Sequence, residues 1–287
     1  MKNVKNQVRY IQQYNEFNHL VKCIESAPTG ETFGILLIGP PGTGKTLCAM
    51  DLARHYNSNY IVVDGSPQTD RRDLEGCWEI VKGNTVFNKG PLYQVIEQAN
   101  NEGIAFLVFN EPNAVNPSEQ ISFNALMTEN HINLLSNAGK RIEIEPHAKL
   151  IVIGTINLNV LGINDLQEAF DDRFLVNWEF EYPAKNKEAE IIKKMAGCSK
   201  SLAELISELA YQLREAAMKD FSLKKPFSTR HGVNFAKMIW AMKRKYIREN
   251  IRTMIVSKIA KEKREKEFIS QILDGLDFKK RLWDILK

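Results

Sequence analysis

The chain has no apolar run approaching the roughly 20 residues that a bilayer-spanning helix needs, and its opening stretch, MKNVKNQVRYIQQYNEF, lacks the apolar segment of a signal peptide. Both absences argue against a membrane protein and predict a soluble, cytoplasmic one. Cysteine is scarce. Cys23, Cys48, Cys77 and Cys198 are widely spaced and form no CxxC pair, which leaves neither a disulfide framework nor a zinc site and predicts reduced, structural thiols. The five histidines show no metal-ligand spacing, and there is no internal repeat or low-complexity tract. What is present is 287 residues, 44% hydrophobic and 26% charged, enough for one large or two modest globular domains with a sizeable core.

The net charge of +4 conceals an asymmetry: residues 241–287 hold 14 Lys or Arg against 7 Asp or Glu, so the chain before them is slightly acidic. Two readings follow. A basic end can contact nucleic acid or an acidic partner, whereas basic residues mixed with Glu, as in KEKREKE, form the solvated face of a helix; the mixing favours the second.

Up to Pro183 short apolar runs alternate with helical patterns: GILLIG (34–39), YIVVDG (60–65), IAFLVF (104–109), LIVIGT (150–155) and VNWEF (176–180). Runs this continuous in Ile, Leu, Val and Phe suit strands covered on both faces, and hence an α/β domain over 1–183 with a largely parallel sheet flanked by helices. Two segments exceed a minimal fold of this kind. Residues 66–92 are rich in turn formers, and 131–150 read as a hairpin, so both are candidate insertions at the periphery. Beyond Pro183 the strand signal vanishes. Phe235, Ile239, Met242 and Tyr246, then Ile251, Met254, Ile255 and Ile259, recur at helical spacing and predict an all-α domain over 184–287.

The segment GPPGTGKT (39–46) follows one of the strand patterns and precedes the helix pattern LCAMDLARHY, which is the context of a P-loop. Gly39, Gly42 and Gly44, with Pro40, Pro41 and Thr43 between them, let the backbone wrap phosphates closely. Lys45 supplies a point charge for the β- and γ-phosphates, and Thr46 a hydroxyl for Mg²⁺. ATP with Mg²⁺ is the expected ligand pair.

Together with Asn110-Glu111, GTIN (154–157), AFDDRF (169–174) and STRHG (228–232), this loop resembles an AAA+ ATPase in motif order and spacing. NTVFNKGPL (84–92), the stretch 110–129 and DDRF are similar to the MoxR branch, which includes the CbbQ, GvpN and McrB-like proteins. The resemblance covers roughly residues 20–240 and implies an α/β core followed by a helical lid. It also implies roles. Glu111 would orient and polarise the attacking water, Asn157 would be the uncharged sensor beyond the fourth core strand, Arg173 the arginine finger reaching a neighbouring subunit, and Arg230 the lid sensor. Against these stand a solvated loop Glu, a loop-forming Asn, an Arg173 ion pair to Asp171 or Asp172, and a plain helix-start Arg at 230.

Position 110 departs from the family, whose second acidic motif begins with Asp. Asn110 keeps one carbonyl acceptor for the magnesium site and loses the charge, which predicts weaker Mg²⁺ affinity while Thr46 and the phosphates still hold the ion, and Asn110→Asp should strengthen that affinity and raise ATP turnover. The substitution is compatible with a slow hydrolase, with a site that binds and barely turns over, and with an engineered change. The other site residues favour a working, attenuated ATPase. The resemblance implies a homo-oligomeric, commonly hexameric ring that remodels a protein partner, often with a von Willebrand factor A-domain companion. The alternatives are the motor of a nucleic-acid-processing complex and a nucleotide-controlled scaffold with negligible hydrolysis.

Overall fold

The computed structural model describes residues 9–157, 171–220, 223, 226–242 and 244–287, without the side chains of 122, 219–220 and 244–249. These residues form two compact units. One comprises Tyr14–Gly39 and Gly44–Phe180; the other comprises Glu181–Lys287 with Pro40–Thr43 and the described residues before Tyr14.

In chain order the first unit runs α1 (Glu16–Ser26), β1 (Thr32–Gly39), α2 (Lys45–His55), β2 (Tyr60–Asp64), α3 (Arg71–Glu75), β3 (Gly76–Val81), β4 (Asn84–Lys89), α4 (Pro91–Glu102), β5 (Ile104–Asn110), α5 (Ile121–Glu129), β6 (His131–Leu134), β7 (Lys140–Glu143), β8 (Lys149–Asn157) and β9 (Val176–Glu179). Five strands make one parallel sheet in the order β2-β5-β8-β1-β9. The three inner strands, almost continuously apolar, are buried nearly end to end, as strands with helices on both faces must be. The edge strands β2 and β9 mix half-buried with exposed residues.

Leu92, Val95 and Ile96 of α4 and Phe123 and Leu126 of α5 pack on Leu107 and Phe109 of β5 and Val152 of β8. The Phe109 and Phe123 rings meet edge-on at 5.0 Å and fix the chain immediately before Asn110; each such buried side chain contributes about 1.5–3 kcal/mol. Two peripheral hairpins fall inside the segments 66–92 and 131–150. β3 pairs antiparallel with β4 around Lys82-Gly83, both at positive φ as a tight hairpin turn requires, and β6 pairs with β7.

The second unit is helical: α6 (Lys185–Ala196), α7 (Lys200–Asp220), α8 (Thr229–Ala241), α9 (Arg244–Ile259), α10 (Lys263–Gly275) and α11 (Phe278–Leu286). Phe235, Ile239, Ile251, Ile255 and Ile259 from the helical stripes are in its core, with Ile192, Ile206, Leu213 and Phe227; the side chain of Tyr246 lies outside the described residues. Buried beside this core, Arg214 of α7 donates to Glu188 of α6 at 2.9 Å and to the Phe227 carbonyl at 3.1 Å, while Thr229 of α8 donates to the same carboxylate at 2.7 Å. One charged pair thus ties three helices.

Candidate active site

Parallel strands end together, so their carboxyl ends line up polar residues that are far apart in sequence. Register pairs Asp64 with Asn110, Asn110 with Thr155, and Gly39 with Asn157. The P-loop leaves β1 on this edge. Gly39, Gly42 and Gly44 all have positive φ (+149°, +79° and +102°), and a Cβ at Gly39 would lie 2.1 Å from the Phe180 carbonyl oxygen. Glycine at 39 is therefore a requirement of close backbone approach. Thr43 closes the loop by donating to the Pro40 carbonyl at 3.0 Å. Helix α2 starts at Lys45, which brings its N-terminal end to the loop.

Lys45 is buried, and its ammonium donates to the Gly39 carbonyl and to Asn157 Oδ1, both at 2.8 Å. With its oxygen so used, Asn157 turns its amide nitrogen to Glu111 and donates to Oε1. Glu111 sits just beyond β5 in the left-handed region (φ +51°, ψ +50°), an uncommon place for a non-glycine residue. Its N–H is held by the Thr155 carbonyl at 2.8 Å, and a short turn, Pro112–Ala114, follows it. The second carboxylate oxygen, Oε2, is buried and takes no hydrogen bond among the described residues. Burial raises the Glu111 pKa above the usual carboxylate value, opposed by the Asn157 hydrogen bond and by the charge of Lys45. The result is a half-buried carboxylate with one oxygen held by Asn157 and the other without a hydrogen bond among the described residues.

Asn110 lies at the centre of a second cluster. Its Oδ1 accepts from the hydroxyls of Thr46 (2.8 Å) and Thr155 (2.9 Å), and its amide nitrogen donates to Asp64 Oδ1 at 2.7 Å. The hydroxyl proton of Thr46 is thereby committed to Asn110, and its lone pairs remain for a hard cation, so the donor chemistry here fits Mg²⁺.

Arg173 lies in the same unit, half-buried, and its Nε donates to Thr128 Oγ1 at 3.0 Å. It forms no ion pair with Asp171 or Asp172 among the described residues, so the intrachain salt bridge weighed from the sequence is absent there. Ala169 and Phe170 of the arginine motif lie outside the described residues. Arg230 belongs to the helical unit and is exposed in the first turn of α8. That helix is capped by Ser228, whose hydroxyl accepts from the His231 N–H while His231 Nδ1 accepts from the Ser228 N–H. His231 is thus a capping residue. Within the helical unit Gly42 is close to this turn: a Cβ there would lie 2.8 Å from Ser228 Oγ and 3.2 Å from Arg230 Cβ.

The structure brings together Lys45, Thr46, Asn110, Glu111 and Asn157, and adds two residues missed in the sequence, Asp64 and Thr155. A signal for Asp64 was present. YIVVD and IAFLVFN are adjacent apolar runs that each end in one polar residue, and neighbouring parallel strands place such ends side by side.

Residues 34–174 match the family model of the AAA domain (dynein-related subfamily), and residues 188–276 match that of the CbbQ/NirQ/NorQ C-terminal family. The denitrification regulatory protein NirQ of Pseudomonas aeruginosa is 27% identical over 226 residues, 79% of this chain and 83% of that protein. The chaperone MoxR1 of Mycobacterium tuberculosis is 27% identical over 190 residues, 65% of this chain and 47% of that one. Among solved structures, the RuvB Holliday junction branch migration motor of Thermotoga maritima superposes with a TM-score of 0.51 at 14% identity, covering 91% of this chain and 69% of that one, a likeness of fold alone.

Proposed function

The chain belongs to the MoxR branch of the AAA+ ATPases, and from that membership we propose that it is a ring-forming motor that uses ATP hydrolysis to remodel a protein partner. The observation that supports turnover is the bridge made by Asn157, which holds the phosphate-binding Lys45 on one side and Glu111 on the other. In this reading the P-loop and Lys45 hold the β- and γ-phosphates, and Glu111 orients a water in line with the γ-phosphorus and takes up its proton as the new P–O bond forms and the bond from that phosphorus to the β,γ-bridging oxygen breaks, which leaves ADP and inorganic phosphate. Thr46, with Asn110 behind it, would hold Mg²⁺, which when bound would supply positive charge against the phosphates. Arg173, whose terminal guanidinium nitrogens make no hydrogen bond among the described residues, is the group offered to a neighbouring copy's γ-phosphate. Arg230 acts from the helical unit as the residue that reports nucleotide state.

A remodelling task on a protein is supported by the likeness to a chaperone and to a regulatory protein, and its proposed form is a hydrolysis cycle that moves one unit against the other. The test separates binding from chemistry. Glu111→Gln should retain ATP and lose about 10²–10⁴-fold in phosphate release, whereas Lys45→Ala should lose ATP binding; equal loss of binding in both would overturn the assignment. An ATP-locked Glu111→Gln protein should then retain a protein partner that Lys45→Ala does not, and retention abolished by nuclease would favour a nucleic-acid motor instead.

A further inference from the structure

The amide at position 110 has a counterpart across the strand boundary. β2 and β5 are parallel neighbours with Asp64 opposite Asn110, and the Asn110 amide donates to Asp64 Oδ1 at 2.7 Å. Asp64 Oδ2 takes no hydrogen bond among the described residues. The backbone behind the acid is closely fitted: the Gly65 N–H donates to the Asn110 carbonyl at 2.7 Å, and a Cβ at Gly65 would lie 2.3 Å from the Glu111 carbonyl oxygen. Asp64 is therefore held beside Asn110, the last residue of β5, with Gly65 packed on the Glu111 that follows.

The hydrogen-bond inventory makes positions 64 and 110 interdependent. Asn110 accepts two hydroxyls on its oxygen and must donate from its nitrogen, and Asp64 can only accept. A carboxylate at 110 could receive both hydroxyls but would face Asp64 with no proton between them. We infer that Asp64 supplies the negative charge of this magnesium site, which the family's acidic motif carries one strand over at position 110, so that Asp64 and Asn110 act as one unit in setting affinity for the divalent cation that accompanies ATP. This rests on the proposed placement of Mg²⁺ at Thr46. It also changes the expectation drawn from position 110 alone. The site is not short of a charge, and Asn110→Asp adds a second acid where one is already present.

The test uses Mn²⁺ as the probe, with Glu111→Gln protein so that ATP persists, and reads free Mn²⁺ by electron paramagnetic resonance. Adding Asp64→Asn should weaken Mn²⁺ binding to the ATP-loaded protein about tenfold, the range for loss of a group acting through a metal's outer sphere. The exchange Asp64→Asn with Asn110→Asp restores one acid and one amide with the hydrogen bond reversed, and should bring the affinity back to within about threefold of the parent. A fluorescent ATP analogue in EDTA should bind all three proteins equally, which also shows that their sites are folded. Parent-like Mn²⁺ affinity in Asp64→Asn, absence of rescue by the exchange, or loss of metal-free nucleotide binding in Asp64→Asn would each overturn the inference. A parent protein that binds neither ATP nor Mn²⁺ would instead overturn the functional reading beneath it.

Discussion

Asn157 touches both ends of the proposed chemistry. It accepts from Lys45 and donates to Glu111, so one neutral side chain fixes a cation and an anion without neutralising either. It acts through those two groups, and its loss should move the carboxylate more than the phosphates. Asn157→Ala is expected to bind ATP within about threefold of the parent and to lose about 10²-fold in kcat, the cost of a misplacement near 1 Å. Steady-state phosphate release beside nucleotide titration checks this; a fall in affinity as large as the fall in rate would contradict it. Glu111 is held for the same purpose at an unfavourable backbone conformation, by the Thr155 carbonyl and the turn that follows.

Among the elements, the start of α8 and the bodies of α6 and α7 depend on a buried ion pair. Arg214→Ala would remove two hydrogen bonds to Glu188 and one to the Phe227 carbonyl, and would leave a carboxylate in the core with only Thr229 to donate among the described residues. The expected cost is about 3–5 kcal/mol, measured as early loss of helical signal in denaturant; a change below about 1 kcal/mol would contradict the role. A weaker tie joins α11 to α7. Glu208 accepts from Arg281 at 2.9 Å and lies 3.3 Å from Lys185, and these partners, Arg281 foremost, lower its pKa. A lowered folded-state pKa gives stability that is present above the unfolded carboxylate value and is lost as pH falls through the folded one. The pair is partly exposed, so Arg281→Ala should cost less than about 1 kcal/mol at neutral pH, with the difference from the parent vanishing in acid; a difference that grows in acid would contradict it. The strands were legible in the sequence because burial on both faces demands continuous apolar runs, and the P-loop because its glycines and Lys45 are contiguous. Glu188–Arg214 and Asp64–Asn110 were not, since their partners lie far apart in the chain and only helix packing and strand register bring them together.

At the scale of the whole molecule, no helix among the described residues is long and apolar enough to cross a membrane. Several of the positive charges at the C-terminal end are paired: Arg252 with Asp274, Arg281 with Glu208, and Lys287 with Asp284 lie within 2.8–2.9 Å. That pattern suits a solvated face better than a nucleic-acid surface. The proposed motor needs more than one copy, because in this proposal Arg173 is offered to a neighbour and Glu111 is assigned to its own P-loop, and ATP shared across that boundary should favour assembly by linkage. The most direct test mixes two inactive variants, Arg173→Ala and Glu111→Gln, in equal amounts with ATP. Random mixing in a head-to-tail ring pairs an intact Glu111 with an intact Arg173 at about a quarter of the boundaries. Phosphate release approaching that share of the parent rate is the expected result; subunits shown by mass spectrometry to exchange into mixed rings, yet releasing no phosphate, would contradict a site completed between copies.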